Sequence, residues 1–431
     1  MTSLNTEVMA WMSLSNRTLG SKLLLIGLVS NLFFPVFLSA STLERGGASA
    51  RAMGTRGADA AACDGSRSVV DNPAALADLR QPSALLGLDA RIYALTLSQE
   101  RAADTYPAVQ PQRVAAVTAA LALPLTEKLA LGLLAHLPIT GPTRLQAYDF
   151  RRPQLPIWQS LGEGLNLAVA IGWRPAATVA LGFGVQVSAD LDARADFSLD
   201  LAAGEVTQRR VDIRLRSHLV PYASLRWNSS AKSVWMLRWR AAYQVDFDVP
   251  LQVALNGALK TEFRLSGQGL FSPEVWSLAW AYQRDAWSMY ARVRYERWSE
   301  LRSFAPSVTT SIGAQSPFVS VGSSDVWVPQ VGGQWQLASN WRLRAGLGFR
   351  PTPLPKADGA ASWLDSHAFE GSFGFSWRVF ATSWIDVACG WSHFWTRTTA
   401  RRVADHPVGD VAIRGGIGHA ALAFRHHMGT P

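Results

Sequence analysis

The middle of the chain alternates apolar and polar residues with a period of two. In 234–247, VWMLRWRAAYQVDF, one parity carries Trp235 and Trp239, and the opposite parity carries Arg238 and Arg240. This period predicts a β-strand with one apolar and one largely polar face, because a helix would scatter the arginines around its axis. The same alternation recurs in 210–216, 287–296 and 341–350.

Strands of this kind follow one another along most of the chain. Short links alternate with long ones, as turns and external loops do in a barrel of the bacterial outer membrane, and such barrels have an even number of strands. The sequence predicts 14 strands, at 83–99, 113–123, 129–147, 161–173, 178–197, 209–227, 233–248, 260–283, 286–299, 325–337, 341–350, 367–379, 383–396 and 411–425.

The alternation alone also fits a soluble β-sandwich with one wet face. Two features favour a membrane barrel over a soluble sandwich. Many predicted strands reach the 9 to 11 residues, roughly, that a tilted membrane crossing needs. Tryptophans cluster near strand ends, where their rings suit the headgroup boundary, as at Trp276, Trp298, Trp327 and Trp395. The sequence therefore predicts an all-β fold, a transmembrane antiparallel β-barrel of about 14 strands.

The amino terminus is typical of an export signal. Residues 23–38, LLLIGLVSNLFFPVFL, follow Arg17 and Lys22 and precede small residues, so we expect a signal peptide at 1–40. An uncleaved anchor is the alternative, and Pro35 disfavours it because it interrupts the apolar stretch. Export by this signal and a barrel together predict localisation in the outer membrane.

Charge and composition exclude other functions. The net charge of the 431 residues is +9, but the arginines are scattered among apolar residues, so no nucleic-acid partner is expected. The eight histidines form no recognisable motif, and neither Cys63 nor Cys389 lies in a metal-ligand spacing. The sequence predicts no enzyme activity, no metal and no cofactor.

The segment before the first strand carries a family resemblance. Residues 46–79 are rich in Gly and Ala and contain Asn72-Pro73-Ala74. This segment resembles the hatch of the FadL family, the outer-membrane transporters of long-chain fatty acids and hydrocarbons. Further similar motifs are Pro273 with Trp298-Ser299, and Arg344-Ala345-Gly346 with Pro353-Leu354-Pro355 and Asp365.

The resemblance implies a hatch at 41–82 that plugs a barrel at 83–425, followed by a short tail at 426–431. It implies passive uptake of a fatty acid or hydrocarbon, with lateral exit into the bilayer. The implied partners are this hydrophobic ligand, outer-membrane lipid and the barrel-assembly machinery. A structural or surface-interaction barrel without transport is the alternative, and a general diffusion porin is disfavoured because a hatch would block an open pore. The family's barrels commonly end on an aromatic residue, whereas here RHHMGTP follows Phe424.

Three sets of residues are candidates for the site. The resemblance assigns Asn72, Pro73 and Ala74 to the hatch motif, where we expect Asn72 to cap or turn the backbone. It also places a gap in the barrel wall near Pro138, Gly141 and Pro142, although these residues fit a strand's loop end equally well. Inward arginines either bind a ligand carboxylate or fill the lumen by pairing with Asp246, Glu296, Asp59, Asp64 and Asp71. These arginines are Arg238, Arg240, Arg292, Arg294, Arg342 and Arg344.

Overall fold

A computed structural model describes most of the chain after the predicted signal peptide. The described residues are 49–99, 113–139, 166–200, 205–255, 259–303, 307–310, 320–355, 365–399 and 411–428. The signal peptide predicted at 1–40 lies outside them. No helix among these residues is long and apolar enough to cross a membrane, a criterion that concerns helices alone.

Strands make up most of the described residues. They are β1 Ser83–Gln99, β2 Arg113–Pro124, β3 Leu129–Pro138, β4 Asn166–Ala176, β5 Val179–Asp200, β6 Glu205–Ser230, β7 Ser233–Arg240, β8 Tyr243–Leu255, β9 Leu259–Ser272, β10 Glu274–Gln283, β11 Trp287–Arg297, β12 Ser307–Thr310, β13 Val326–Ala338, β14 Trp341–Arg350, β15 Ala368–Phe380, β16 Ser383–Phe394, β17 Arg397–Thr399 and β18 Val411–His427.

The main sheet closes into a barrel. Its order is β1–β7, β10, β11, β13–β16 and β18, and β1 then pairs with β18 from Ser83↔His427 to Gln99↔Val411. These are 14 antiparallel strands, as predicted from the alternation, and β17 continues the edge of β16 along β18. Closure leaves no edge strand in the barrel, so every backbone group that crosses the bilayer can find a partner. The last strand continues two residues beyond the predicted end at 425.

Three of the predicted strands are wrong in their extent. The strand predicted at 129–147 ends at Pro138 as β3, and residues 140–147 lie outside the described residues. The strand predicted at 233–248 stops at Arg240, and after Ala241 and Ala242 the chain enters β8, which belongs to a separate sheet. The strand predicted at 260–283 is broken at Pro273, where proline lacks the N–H that a ladder needs. Tyr243 shares the apolar parity of Trp239 in the sequence, but it is buried against Val220.

The long-loop end of the barrel carries two further structures. The sheet β8–β9–β12 forms a three-stranded unit between β7 and β10 in the sequence. The β5–β6 hairpin extends beyond β7, because β6 pairs with β7 only from Tyr222 onwards. Along this extension four pairs of oppositely charged residues stand opposite one another, at Asp190↔Arg216, Asp192↔Arg214, Arg194↔Asp212 and Asp196↔Arg210. β8 packs against β5, so the two structures are neighbours.

Side chains inside and outside the barrel alternate as the sequence predicts. On β14, Leu347 is 65% exposed on the outer face, whereas Arg344 and Arg350 are buried inside. The outer face is apolar and carries aromatic residues at two levels. Near the short turns these are Trp173, Trp227, Trp335 and Trp377, and near the long loops they are Trp276, Trp327, Phe369 and Trp395. Two aromatic girdles around an apolar band are typical of a barrel that spans the outer membrane.

A charged side chain at the centre of the apolar outer band should strongly destabilise the barrel. Leu278 lies between Trp276 and Trp280 on β10 and is 46% exposed. We expect Leu278→Arg to lower the free energy of unfolding by about 2–4 kcal/mol, because the guanidinium meets hydrocarbon. The measurement is denaturant unfolding in lipid vesicles.

The matched control is Leu125→Arg. Leu125 is 54% exposed and lies in the β2–β3 turn. At the headgroup boundary we expect a change of about 1 kcal/mol or less. Equal losses for the two variants would contradict a lipid-facing position for Leu278.

Candidate functional site

The residues before β1 form a hatch inside the barrel. We use this name for residues 49–82. The hatch begins with the helix α1, Ala50–Gly54, whose N-cap Ser49 accepts a hydrogen bond from the backbone N–H of Ala52 at 3.3 Å. Three 3-10 turns and the short helix α2, Ser68–Asp71, follow. α1 packs on β15 and β16, the turn Ala58–Ala62 on β10 and β11, and the turn Pro73–Asp78 on β4 and β5. The hatch therefore contacts the wall on several sides of the lumen.

Glycines in the wall allow the hatch backbone to approach closely. A Cβ built on Gly182 would lie 2.1 Å from the backbone nitrogen of Ala74, and one on Gly346 would lie 2.3 Å from the carbonyl carbon of Thr55. A Cβ on Gly172 would lie 2.7 Å from the carbonyl oxygen of Pro73. Contacts this short leave no room for any other residue. We call these three glycines the hatch seat.

The Asn72-Pro73-Ala74 motif lies on this seat and bonds to one serine of the wall. The N–H of Ala74 donates to Ser224 Oγ at 2.8 Å, and Ser224 Oγ donates to Asn72 Oδ1 at 3.1 Å. The Asn72 amide donates in turn to the carbonyl of Ala60 at 3.1 Å. Asn72 is fully buried, so in this structure it joins two parts of the hatch to β6.

Ion pairs hold the hatch together from within. Arg67 lies 2.8 Å from Asp59, and Arg51 lies 2.5 Å from Asp64 and 3.6 Å from Asp59. Burial favours the neutral form of Asp59, but Arg67 and Arg51 outweigh burial and hold its pKa below the ordinary value. Burial raises the pKa of Asp71, and this rise exceeds the opposing effect of nearby arginines such as Arg67. The pKa shifts of the two carboxyl groups therefore have opposite directions. Ionised Asp59 stabilises the hatch, and ionised Asp71 does not.

A second group of bonds ties the hatch to the opposite wall. Arg56 has a left-handed backbone conformation, with φ at 54°, and its guanidinium lies 2.7 Å from Glu370 of β15. It also donates to Ser392 Oγ at 3.0 Å, and its carbonyl accepts from Gln330 at 2.5 Å. The buried ion pair fixes this turn against the wall, since removal of either partner would leave an uncompensated charge.

The six arginines predicted to face the lumen all lie on its inner side. Five are buried and Arg342 is half-buried. Arg294 pairs with Glu296 at 3.1 Å, as one of the two sequence interpretations expects. Arg344 lies 3.6 Å from Asp386, an acidic residue that the sequence interpretation does not include.

Three of the other arginines bond to neutral groups, and one does not. Arg240 donates to Ser272 Oγ at 2.9 Å, Arg292 to Ser277 Oγ at 3.1 Å, and Arg342 to Gln336 Oε1 at 2.6 Å. Arg238 contacts the ring of Tyr222, whose centroid lies 5.6 Å from its guanidinium carbon. Asp59 and Asp64 pair within the hatch and with none of these six residues.

The residues proposed for a wall gap lie only partly within the described chain. β3 ends at Pro138, which stands opposite Ala116 of β2. The described pairing of β3 with β4 runs to His136↔Asn166, and Asn166 is the first described residue of β4. The register of β3 shows no shift up to this point. Gly141 and Pro142 lie outside the described residues, so the gap stays a prediction.

The lumen wall has two chemically different sides. The inner faces of β2–β5 carry Ala, Gly and Leu, with a neutral polar group near the long loops: Thr118, His136, Asn166 and Gln186. Gln186 donates to Asn166 at 2.5 Å, and Thr118 bonds to His136 at 2.9 Å. Near the short turn of β4, Arg174 pairs with Asp78 of the hatch. Between Arg174 and the polar group, the described inward residues of these four strands include no charged side chain. The side formed by β7–β18 holds the arginines and their acidic partners.

Several residues of this site escape the sequence interpretation. Ser224, Tyr222 and Glu370 contact the hatch from positions far away in the sequence, and no local pattern marks them. The glycines of the hatch seat do leave a signal. Gly172, Gly182 and Gly346 occupy the inward parity of strands that are otherwise well patterned, where a larger residue is expected.

Comparisons with known proteins agree with this architecture. Residues 37–412 match the family described as outer membrane protein transport protein (OMPP1/FadL/TodX). The alkane uptake protein A of Marinobacter nauticus is 27% identical over 85 residues, which is 20% of this chain and 19% of that protein. The long-chain fatty acid transport protein of Escherichia coli K12 is 23% identical over 151 residues, 34% of this chain and 32% of that protein. The matched stretches thus span a third or less of these curated relatives.

Solved structures are similar over most of the barrel. A Pseudomonas aeruginosa FadL homologue superposes with a TM-score of 0.65 at 13% identity, over 91% of this chain and all of that one. The Pseudomonas putida toluene transporter TodX superposes with a TM-score of 0.57 at 11% identity, over 88% of this chain and 98% of that one. At a sequence identity of 11–13%, the structural similarity shows the fold alone.

The hatch seat predicts that one methyl group on Gly182 displaces the hatch. We expect Gly182→Ala to destabilise the seated hatch by about 1–3 kcal/mol, and therefore to open the hatch roughly 5- to 150-fold more often. The reporter is maleimide labelling of Cys63, which is buried in the hatch and whose thiol pKa burial raises to about 12. The exposed Cys389 is replaced by serine in all variants.

The control for this substitution is Gly371→Ala on β15. A Cβ there would meet only the side chain of Leu347, at 3.9 Å. Labelling of Cys63 should stay at the wild-type rate. An unchanged rate in Gly182→Ala would show that the hatch does not rest on this glycine.

The hatch carboxyl groups predict opposite results for the same substitution. Asp59→Asn should weaken hatch seating by on the order of 3 kcal/mol, since Arg67 and Arg51 lose a buried partner. Asp71→Asn should leave seating unchanged or improve it, because the raised pKa of Asp71 shows that its ionised form is disfavoured. The measurement is again the rate of Cys63 labelling.

The pH dependence has a defined sign. The stabilisation from Asp59 is complete above its ordinary pKa of 3.8 and is lost as the pH falls through its lower native value. Opening of the wild-type hatch should therefore rise only in strong acid, measured as the reaction of Cys63 with a dipyridyl disulfide, which also reacts in acid, relative to a free thiol at the same pH. A rise between pH 5 and 7, or equal labelling of the two Asn variants, would contradict this account.

Proposed function

This chain belongs to the OMPP1/FadL/TodX family and is an outer-membrane β-barrel, and we propose that it admits hydrophobic molecules passively across the outer membrane. The names of its relatives include an alkane, long-chain fatty acids and toluene. These cargoes share an apolar body and little else. The proposal is therefore a hydrophobic cargo, with a fatty acid or hydrocarbon as the first candidates.

The neutral wall of the lumen is the observation that carries this proposal. Ala168 and Ala170 of β4 and Ala120 and Ala122 of β2 are almost fully buried against the hatch residues Val69, Val70 and Leu76. Apolar surface of this kind binds an apolar cargo favourably, since both lose contact with water. A channel for ions or sugars needs polar groups along its whole length.

The same wall supports a lateral exit. A hydrophobic molecule gains no free energy by entering the periplasm, so a path from lumen to bilayer avoids a second exposure to water. The side of the barrel with neutral inner residues is also the side on which β3 ends at Pro138. We place the exit at Pro138, Gly141 and Pro142, where proline removes a ladder donor and glycine permits a bend.

The proposal predicts uptake that depends on the exit residues. Cells that lack their own transporter should accumulate labelled palmitate, hexadecane or toluene when they express this chain. Replacement of Pro138 and Pro142 by Val restores two ladder donors, and Gly141→Thr disfavours the bend. The triple replacement should close the gap and reduce the rate of uptake strongly. The measurement is the initial rate of uptake in intact cells.

The control replaces Pro124, at the turn end of β2, by Val. It changes a proline that lies away from the proposed exit, so uptake should remain. No uptake of any of the three compounds by the wild-type chain would favour the alternative of a structural barrel. Uptake that is unaffected by the triple replacement would leave transport standing and exclude this exit.

A further inference from the structure

Two exposed cations lie in adjoining turns at the short-turn end of the barrel. Lys232 ends the β6–β7 turn, and Arg284 begins the β10–β11 turn. The backbone N–H of Gln283 donates to the carbonyl of Lys232 at 2.8 Å, so the two turns are bonded to each other. Neither cation forms an ion pair with any residue that the structure describes, although Asp285 directly follows Arg284. Two positive charges therefore stand together on the surface without a protein partner.

Four aromatic rings cover the outer face of the barrel beside these turns. Trp235 of β7 stands opposite Trp280 of β10, with ring centroids 6.3 Å apart. The ring of Tyr282 lies 6.2 Å from Trp280 and 5.7 Å from Trp287 of β11. The indole N–H of Trp280 donates to Ser233 Oγ at 3.0 Å, which fixes the orientation of its ring. We call these four rings the aromatic platform.

Arg284 joins the aromatic platform to the charged turns. Its guanidinium carbon lies 5.9 Å from the ring centroid of Trp287. Such a contact holds the cation by the ring face and uses none of its N–H groups. Tryptophan and tyrosine rings on the lipid face mark the boundary between hydrocarbon and headgroups. The short turns of an outer-membrane barrel face the periplasm. Lys232 and Arg284 therefore lie where the phosphates of the periplasmic leaflet are.

A second pair of turns with the same backbone arrangement lacks this feature. The N–H of Arg174 donates to the carbonyl of Lys128 at 2.8 Å, so the β2–β3 and β4–β5 turns also adjoin. Arg174, however, pairs with Asp78 of the hatch, and Lys128 directly follows Glu127. These turns do not present two unpaired cations. The contrast shows that contact between turns does not by itself produce the cationic pair.

We infer that Lys232 and Arg284 bind the phosphate of an anionic phospholipid from the periplasmic leaflet, while the aromatic platform contacts its acyl chains. Ammonium and guanidinium groups both donate charge-assisted hydrogen bonds to phosphate oxygens. A zwitterionic lipid carries an ammonium group of its own, which these two cations repel. The site lies on the outer surface, so the inference goes beyond the proposed transport and does not depend on it.

The test compares phosphatidylglycerol with phosphatidylethanolamine of the same acyl chains. Binding of the first lipid to the purified, detergent-extracted chain is titrated by native mass spectrometry. Each cation near a lipid phosphate contributes roughly fivefold, so the wild-type chain should prefer phosphatidylglycerol by up to roughly 30-fold. Lys232→Gln with Arg284→Gln should abolish the preference, and Asp285→Asn should increase it. Added salt should weaken the wild-type preference, because both cations are exposed.

The matched control is Lys128→Gln, which removes the same charge from a turn that lacks the cationic pair. It should keep the preference, whereas Lys232→Gln alone should lower it roughly fivefold. Folding of each variant is checked by its shifted mobility on unheated gels. Equal affinities of the wild-type chain for the two lipids would overturn the inference. A preference that survives in the folded double variant, or that Lys128→Gln lowers as much as Lys232→Gln does, would overturn it as well.

Discussion

The need to hydrogen-bond every backbone group in a medium without water determines this structure. Strands meet that need only in a sheet that closes on itself, and β1 and β18 close it by pairing along the whole 17-residue length of β1. Closure gives each strand one face on lipid and one on the lumen. The sequence must then alternate between apolar and polar residues. Closure also creates an interior that must be filled. The hatch and the lumen arginines both follow from that second requirement.

The way the hatch fills the interior explains the glycines of the wall. Glycine in a strand costs conformational entropy and leaves no side chain to pack. Gly182 and Gly346 are nevertheless well placed, because the hatch backbone at Ala74 and Thr55 approaches where a side chain would otherwise stand. Backbone against backbone is a contact that tolerates almost no displacement. The wall therefore defines the position of the hatch, while Arg56 and Glu370 add a charged contact on the opposite side.

The sequence predicts those parts of the fold that alternation alone determines. The parity of β14 could be predicted because Arg342, Arg344 and Arg350 mark one face throughout. The end of β7 at Arg240 could not, since Tyr243 and Val245 continue the same alternation in a different sheet. Pro273 does mark the break between β9 and β10. Its missing N–H is a local signal against a single strand at 260–283, and the predicted strand does not take it into account. Within the site, Asn72-Pro73-Ala74 can be recognised as a motif, but its partner Ser224 is 152 residues from Asn72 and is found only through the fold.

The charges of the lumen show why its two sides differ. A charged side chain inside a barrel needs a partner, and the partner is most easily supplied by the same or an adjacent strand. Arg425 and Asp386 on β18 and β16 form such a pair at 2.5 Å, and Arg294 and Glu296 form another within β11. Charges therefore collect on one arc of the wall, and the remaining arc of β2–β5 is free to stay small and apolar. The two arcs meet at Tyr222 and Arg238, since Tyr222 belongs to the apolar cluster and its ring centroid lies 5.6 Å from the guanidinium carbon of Arg238.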